Sequence, residues 1–68
     1  MRFNDIRKTD HYKLYHEKEV PWNKVLEIIL NTKSKRKKGD KVEIKNGYYI
    51  LCEMRNNVLY VINAKITK

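Results

Sequence analysis

Two histidines, His11 and His16, together with Glu53, Arg55 and Tyr60, are the side chains of this chain best suited to moving protons around a phosphodiester. Histidine titrates near neutrality, so it can take the proton from a ribose 2′-OH or return one to a leaving oxygen. Arginine, lysine and tyrosine donors can stabilise the charge that gathers on phosphorus. Such chemistry needs no metal. The chain has no Walker loop, dinucleotide fingerprint, nucleophile elbow, zinc-finger spacing or carboxylate cluster, so the reading assigns neither metal nor cofactor. Residues five apart on a helix are separated by about 140°, which keeps His11 and His16 out of one shared pocket. His11 shares a face with Leu14, Tyr15 and Lys18, a face expected to pack toward a sheet, and is therefore the candidate acid or base alongside Arg55 and Tyr60. The competing reading makes His11 a hydrogen-bonded first-turn residue, and Glu53, Arg55 and Tyr60 a hydrogen-bonded cluster with no chemistry.

The run Lys33-Ser34-Lys35-Arg36-Lys37-Lys38 carries five positive charges in six positions, with Lys41 close behind. Sixteen basic against eight acidic residues leave the 68-residue chain at +8, a field that gathers polyanions and speeds their encounter. RNA, or DNA, is the expected partner, and Lys33, Lys35, Arg36, Lys37, Lys38 and Lys41 are the expected phosphate contacts. A solvated loop that serves only solubility is the plainer alternative.

The elements that must hold these groups follow from the pattern of the chain. Thr9 or Asp10 can cap a first helix running to about residue 19. Val20-Pro21 ends it, because the residue before proline is pushed out of helical geometry, and proline suits the first turn of a second helix. In that second helix Trp22, Val25, Leu26 and Ile29 make an apolar stripe that stops near Asn31-Thr32, and Gly39-Asp40 closes the basic loop after it. Beyond, Val42 and Ile44 alternate with charges, and Asn46-Gly47 reads as a two-residue type I′ turn that sets Ile44 against Tyr49 and Val42 against Leu51. A turn at Asn56-Asn57 would set Glu53 against Tyr60 and Leu51 against Ile62.

The expectation is a single α+β domain over residues 1–68, with two N-terminal helices packed on an antiparallel three-stranded meander, four-stranded if the segment around Phe3 and Ile6 adds on. Its helix-covered face would carry Val42, Ile44, Tyr49, Leu51, Val58, Tyr60, Ile62 and Ala64, with Glu53 and Arg55 toward one end. The other face would carry Lys41, Glu43, Lys45, Asn63 and Lys65, but with Ile50, Cys52, Met54, Leu59 and Val61 it is more apolar than an open face should be and could meet a homodimer partner or another protein.

Composition adds bounds. A 35% charged chain without a long apolar run is not a membrane span, and the first eight residues lack the apolar core of a signal peptide, so a soluble cytoplasmic protein is expected. The lone Cys52 fits a reduced core or interface position. A composition without Gln and rich in Lys, Ile and Tyr leans toward a thermophile.

With His11 opening the first helix, Val20 preceding the second, and hairpins over residues 41–65, the chain resembles the RelE/ParE-like toxin superfamily and its small histidine-bearing relatives. Where those relatives carry an arginine pair near the end of the first helix, this chain has His16 and Lys18 at shortened spacing. The resemblance implies either messenger-RNA cleavage, the activity of the RelE branch, or action on gyrase, that of the ParE branch. It also implies an antitoxin-like partner that wraps the globule, and a phosphate-facing surface built from the basic loop with Arg55 and Tyr60. Three readings stand: a toxin-like domain that binds RNA and cleaves it without metal, a non-catalytic nucleic-acid-binding module, and a protein-interaction domain that uses the second apolar sheet face.

Overall fold

A computed structural model describes residues 3–33 and 35–67; Ser34 of the basic run lies outside them. Thr9 opens the first helix as expected, its Oγ1 accepting from the Tyr12 N–H at 3.2 Å. That helix, α1 (Asp10–Tyr15), is shorter than the sequence pattern suggested. The His16 and Glu17 N–H groups both return to the Tyr12 carbonyl, and Glu19 and Val20 then bond to His16, so the chain coils into a turn instead of a third helical turn. The Tyr12 hydroxyl holds that turn by donating to the Val20 carbonyl. Pro21 occupies the cap of α2 (Trp22–Asn31) with its ring-set φ of −61°, and α2 buries Val25, Ile28 and Ile29. Among the described residues no helix is long and apolar enough to cross a membrane.

Among the described residues the sheet has five strands, not three or four, and is mixed: β1 (Asp5–Lys8), β2 (Arg36–Lys38), β3 (Lys41–Lys45), β4 (Tyr48–Arg55) and β5 (Val58–Ile66), in the order β1-β5-β4-β3-β2. The segment near Ile6 does add a strand, and it runs parallel to β5 with Ile6 beside Leu59. The basic loop is itself partly a strand. Arg36–Lys38 pair antiparallel with β3 through a tight turn whose first central residue, Gly39, has φ +61°, the type II′ pattern. Three consecutive cations leave no apolar alternation to read, and the pairing comes from the backbone. Charge on a sheet edge also discourages pairing with other chains.

One register difference reorganises the sheet. A type I′ turn needs positive φ at both central residues, and that pattern falls at Asn56 (φ 50°) and Asn57 (φ 64°), where Arg55 pairs with Val58 and Glu53 with Tyr60 as expected. At Asn46-Gly47 only Gly47 has positive φ (+76°), and the Asn46 side chain is engaged elsewhere, donating to Thr32 Oγ1 at 3.3 Å. Three residues then separate the paired Lys45 and Tyr49, so Ile44 lies opposite Ile50 and Val42 opposite Cys52. A slip of one residue turns every side chain of a strand over. Tyr49, Leu51 and Glu53 therefore leave the helix side, and Ile50 and Cys52 enter it. A bulge between Leu51 and Cys52 completes the change, placing Leu51 opposite Asn63 and not Ile62.

The apolar face expected to await a protein partner is thus the core. Val42, Ile44, Ile50, Cys52, Leu59, Val61 and Ala64 are buried against Tyr12, Val20, Val25, Ile28 and Ile29, with Met54 packed beside them. Each fully buried aliphatic side chain contributes on the order of 1.5–3 kcal/mol. Burial also pushes the Cys52 thiol up to about 12, which keeps it protonated and inert.

Candidate nucleic-acid interface

With both helices on one side, no helix among the described residues covers the other side of the sheet, and the register fixes what stands on it in rows across the strands. At the end near Gly47 the row is Lys45, Tyr49 and Lys65. Next come Arg36, Glu43, Leu51 and Asn63. The third row runs Lys38, Lys41, Glu53, Tyr60 and Arg7, and the last is Arg55, Val58 and Asp5. Among the described residues of these rows seven cations stand with three carboxylates.

The charge is unevenly compensated. At the far end Arg55 bonds Glu53 at 2.8 Å, Lys41 lies 3.9 Å from the same carboxylate, and Arg7 bonds Asp5 at 3.0 Å. Glu53 correspondingly holds the Arg55 guanidinium above its ordinary value. Among the described residues Arg36, Lys38, Lys45 and Lys65 form no salt bridge; the first three lie about the remaining carboxylate, Glu43, and Lys65 lies beyond it, paired with Tyr49. Glu43 Oε2 accepts from the Tyr49 hydroxyl at 2.9 Å, and Lys65 Nζ sits 5.6 Å from the Tyr49 ring centre. That hydrogen bond, followed by Lys38, Lys45 and Arg36, holds the Glu43 carboxyl below its ordinary value, while burial and the same bond push Tyr49 up.

Two clefts flank this pair and share Lys45. One, of about 360 Å³, is lined by Lys35, Arg36, Glu43 and Lys45; the other, of about 350 Å³, by Lys45, Tyr49, Lys65 and Thr67. Lys35 reaches back to the Thr32 carbonyl at the end of α2 at 2.5 Å, which ties the basic segment to the helix layer.

The residues expected to act together are separated. Arg55 and Tyr60 stand on the open face, not under the helices, while His11 belongs to α1 on the opposite side of the sheet and is exposed beside Leu14 (75%) and Tyr15 (69%). It is Tyr12 that points inward from α1. The two histidines come together instead of apart, with ring centres 5.1 Å from one another, because α1 ends before His16, which lies in the turn at φ −128°. His16 Nε2 is buried without a hydrogen-bond partner among the described residues, and burial, then the neighbouring His11, lowers its pKa. Of the expected phosphate contacts, Arg36, Lys38 and Lys41 stand on the open face, Lys37 is paired with Val42 toward the helix side, and Lys33 is exposed just after α2. Of Glu43, Lys45, Tyr49 and Lys65, the centre of the charged half, the alternation of the strands already puts Glu43, Lys45 and Lys65 on one face, but Tyr49 joins them only in the observed register. Comparison of the chain with family models, curated proteins and solved structures finds no match.

Proposed function

We propose that this is a small RNA-binding domain that grips the phosphate backbone with the open face of its sheet. The observation that carries the reading is the concentration of Arg36, Lys38, Lys45 and Lys65, cations without a salt bridge among the described residues, around the Glu43–Tyr49 pair on a face that no helix among those residues covers. Cations without internal partners release condensed counterions when they meet phosphates, and an open sheet with tyrosine among lysines is a surface on which unpaired bases can lie. On its likeness to RelE/ParE-like toxins, the domain would be the toxin half of a pair. Its protein partner would take the groove of about 320 Å³ where Trp22, Leu26 and Leu30 approach Phe3, Asn4, Asp5 and Ile6.

The test is the affinity for labelled RNA across a salt series, with Arg36, Lys38, Lys45 and Lys65 together replaced by Ser. Binding should weaken steeply with salt, and the slope should flatten by about one unit for each phosphate that the variant no longer neutralises. Affinity and slope unchanged in the variant would dismiss the reading.

Metal-independent cleavage is a second reading, and one observation favours it: a carboxylate kept ionised, Glu43, stands beside Tyr49, Arg36 and Lys45, the group types such cleavage requires. Incubation with RNA in EDTA tests it, with product ending in a 2′,3′-cyclic phosphate as the expected outcome and intact RNA as the refutation.

A further inference from the structure

We infer that Glu43, held by Tyr49, reads an unpaired guanine, so that the open face prefers single-stranded RNA with guanine at this one position. The inference rests on the sheet face being the RNA-binding surface and names what that surface selects.

The argument starts from the inventory of donors and acceptors. Around the two clefts the side chains of Lys35, Arg36, Lys45 and Lys65 offer only N–H donors. Such groups suit phosphate oxygens and say nothing about sequence. Tyr49 and Thr67 add hydroxyls that both donate and accept, and Glu43 is the one carboxylate, an acceptor with no proton to give, set within the cationic patch and shared by neither a lysine nor an arginine at salt-bridge distance among the described residues. A carboxylate there repels phosphate, so it contributes to binding only where the ligand presents donors.

Tyr49 prepares it for that role. The hydroxyl donates to Oε2 at 2.9 Å, which orients the carboxylate while Oε1 and a second lone pair on Oε2 remain open. Among the bases, only guanine offers two adjacent donors, N1–H and N2–H₂, next to an acceptor, O6. Uracil presents one donor between two acceptors, and cytosine and adenine present one exocyclic amine beside a ring acceptor. The two carboxylate oxygens match the paired donors of guanine. Arg36, directly across from Glu43, and Lys45, two residues along the same strand face, flank it with donors suited to O6. In a duplex the N1–H is already used in pairing, so the base must be unpaired.

The experiment measures anisotropy of labelled octamers: U₈, the same strand with one central guanine, the same with inosine, which lacks the N2 amine, and a duplex containing that guanine. The guanine strand should bind about tenfold tighter than U₈, with inosine between them and the duplex weaker. Glu43→Gln, with its fold checked by circular dichroism, should bind the guanine strand no better than U₈, and Tyr49→Phe should shrink the ratio of the two affinities. Equal binding of U₈ and the guanine strand by the unaltered protein overturns the inference and leaves the sheet-face reading standing. Retention of the preference by Glu43→Gln, or preference for the duplex, overturns it as well. If no octamer binds at all, the RNA-binding reading falls and takes this inference with it.

Discussion

The phenolic hydroxyl of Tyr12 donates to the main-chain carbonyl of Val20, eight residues on, at 2.5 Å, with both residues fully buried. The bond joins α1 to the entry of α2 across the turn that contains His16. Tyr12→Phe should leave a buried carbonyl unsatisfied at a cost of about 1–3 kcal/mol. Calorimetry should register it, since each kcal/mol is worth about 4–8 °C in melting temperature for a domain of this size. An unchanged melting temperature would mean that the turn is held by something else.

Alkaline pH probes the same group. Burial, followed by the charge of Glu17, raises the Tyr12 pKa from 10 to about 12, so the folded state holds a proton the unfolded chain gives up. The contribution to stability is complete below about pH 10 and is lost as pH rises toward about 12. Denaturant melts should show stability falling over that window, and the fall should shrink in Tyr12→Phe; the part that remains belongs largely to Cys52, raised by burial from 9.0 to about 12.

His16 works in the opposite sense at the acid side. Its pKa lies below the ordinary 6.5, first through burial and then through His11, so the unfolded chain binds a proton that the folded state resists. Stability is therefore full above about pH 6.5 and declines as pH falls below it. Ring-proton NMR titration of His16 should show the depressed value, and His11→Ala should move it upward. A His16 titrating at or above the ordinary value would contradict the buried setting.

The turn at Gly47 gives a backbone test. A Cβ there would meet nothing within 4 Å, so any cost of substitution is conformational, arising from φ +76°. Gly47→Val should lose about 1 kcal/mol or more, while Gly47→Asn, whose side chain tolerates the left-handed region, should lose less. Equal melting temperatures for the two would argue against this turn geometry.

The two ends of the open face should behave differently. Arg36→Ala and Lys45→Ala remove cations that have no carboxylate partner among the described residues, and each should flatten the salt dependence of RNA binding by about one unit. Arg55→Ala removes a cation already bonded to Glu53, and its effect should be smaller. Equal effects at Arg36 and Arg55 would show that internal pairing does not decide which cations meet RNA.

How much of the fold is legible in the sequence depends on which interactions decide each element. The two helices, the two hairpins and the second turn follow from local signals: Thr9 as a cap, Pro21 at a helix entry, Asn56-Asn57 between alternating residues. The register of β4 does not, because Asn46 engages Thr32, a residue fourteen positions earlier, and that long-range bond accompanies a three-residue connection. One added residue moves Tyr49 and Glu53 to the open face and Ile50 and Cys52 into the core, so the expected site is assembled wrongly although its residue types are sensible. The same holds for the histidines, whose 140° separation requires a helix that continues past His16, whereas α1 ends at Tyr15. β2 has no hydrophobic signature, and β1 pairs with residues at the far end of the chain; neither pairing leaves a trace in a local window.

That last pairing has a kinetic side. Asp5 lies beside Val58, 53 positions away, and no hairpin brings them together. Residues 36–66 can zip through successive tight turns, each closing a short loop, whereas β1 must wait for an assembled edge on β5 before it has anything to join. Until it does, the β5 edge is an unoccupied template able to accept a strand from a neighbouring copy, and the docking of the four residues Asp5–Lys8 closes that edge.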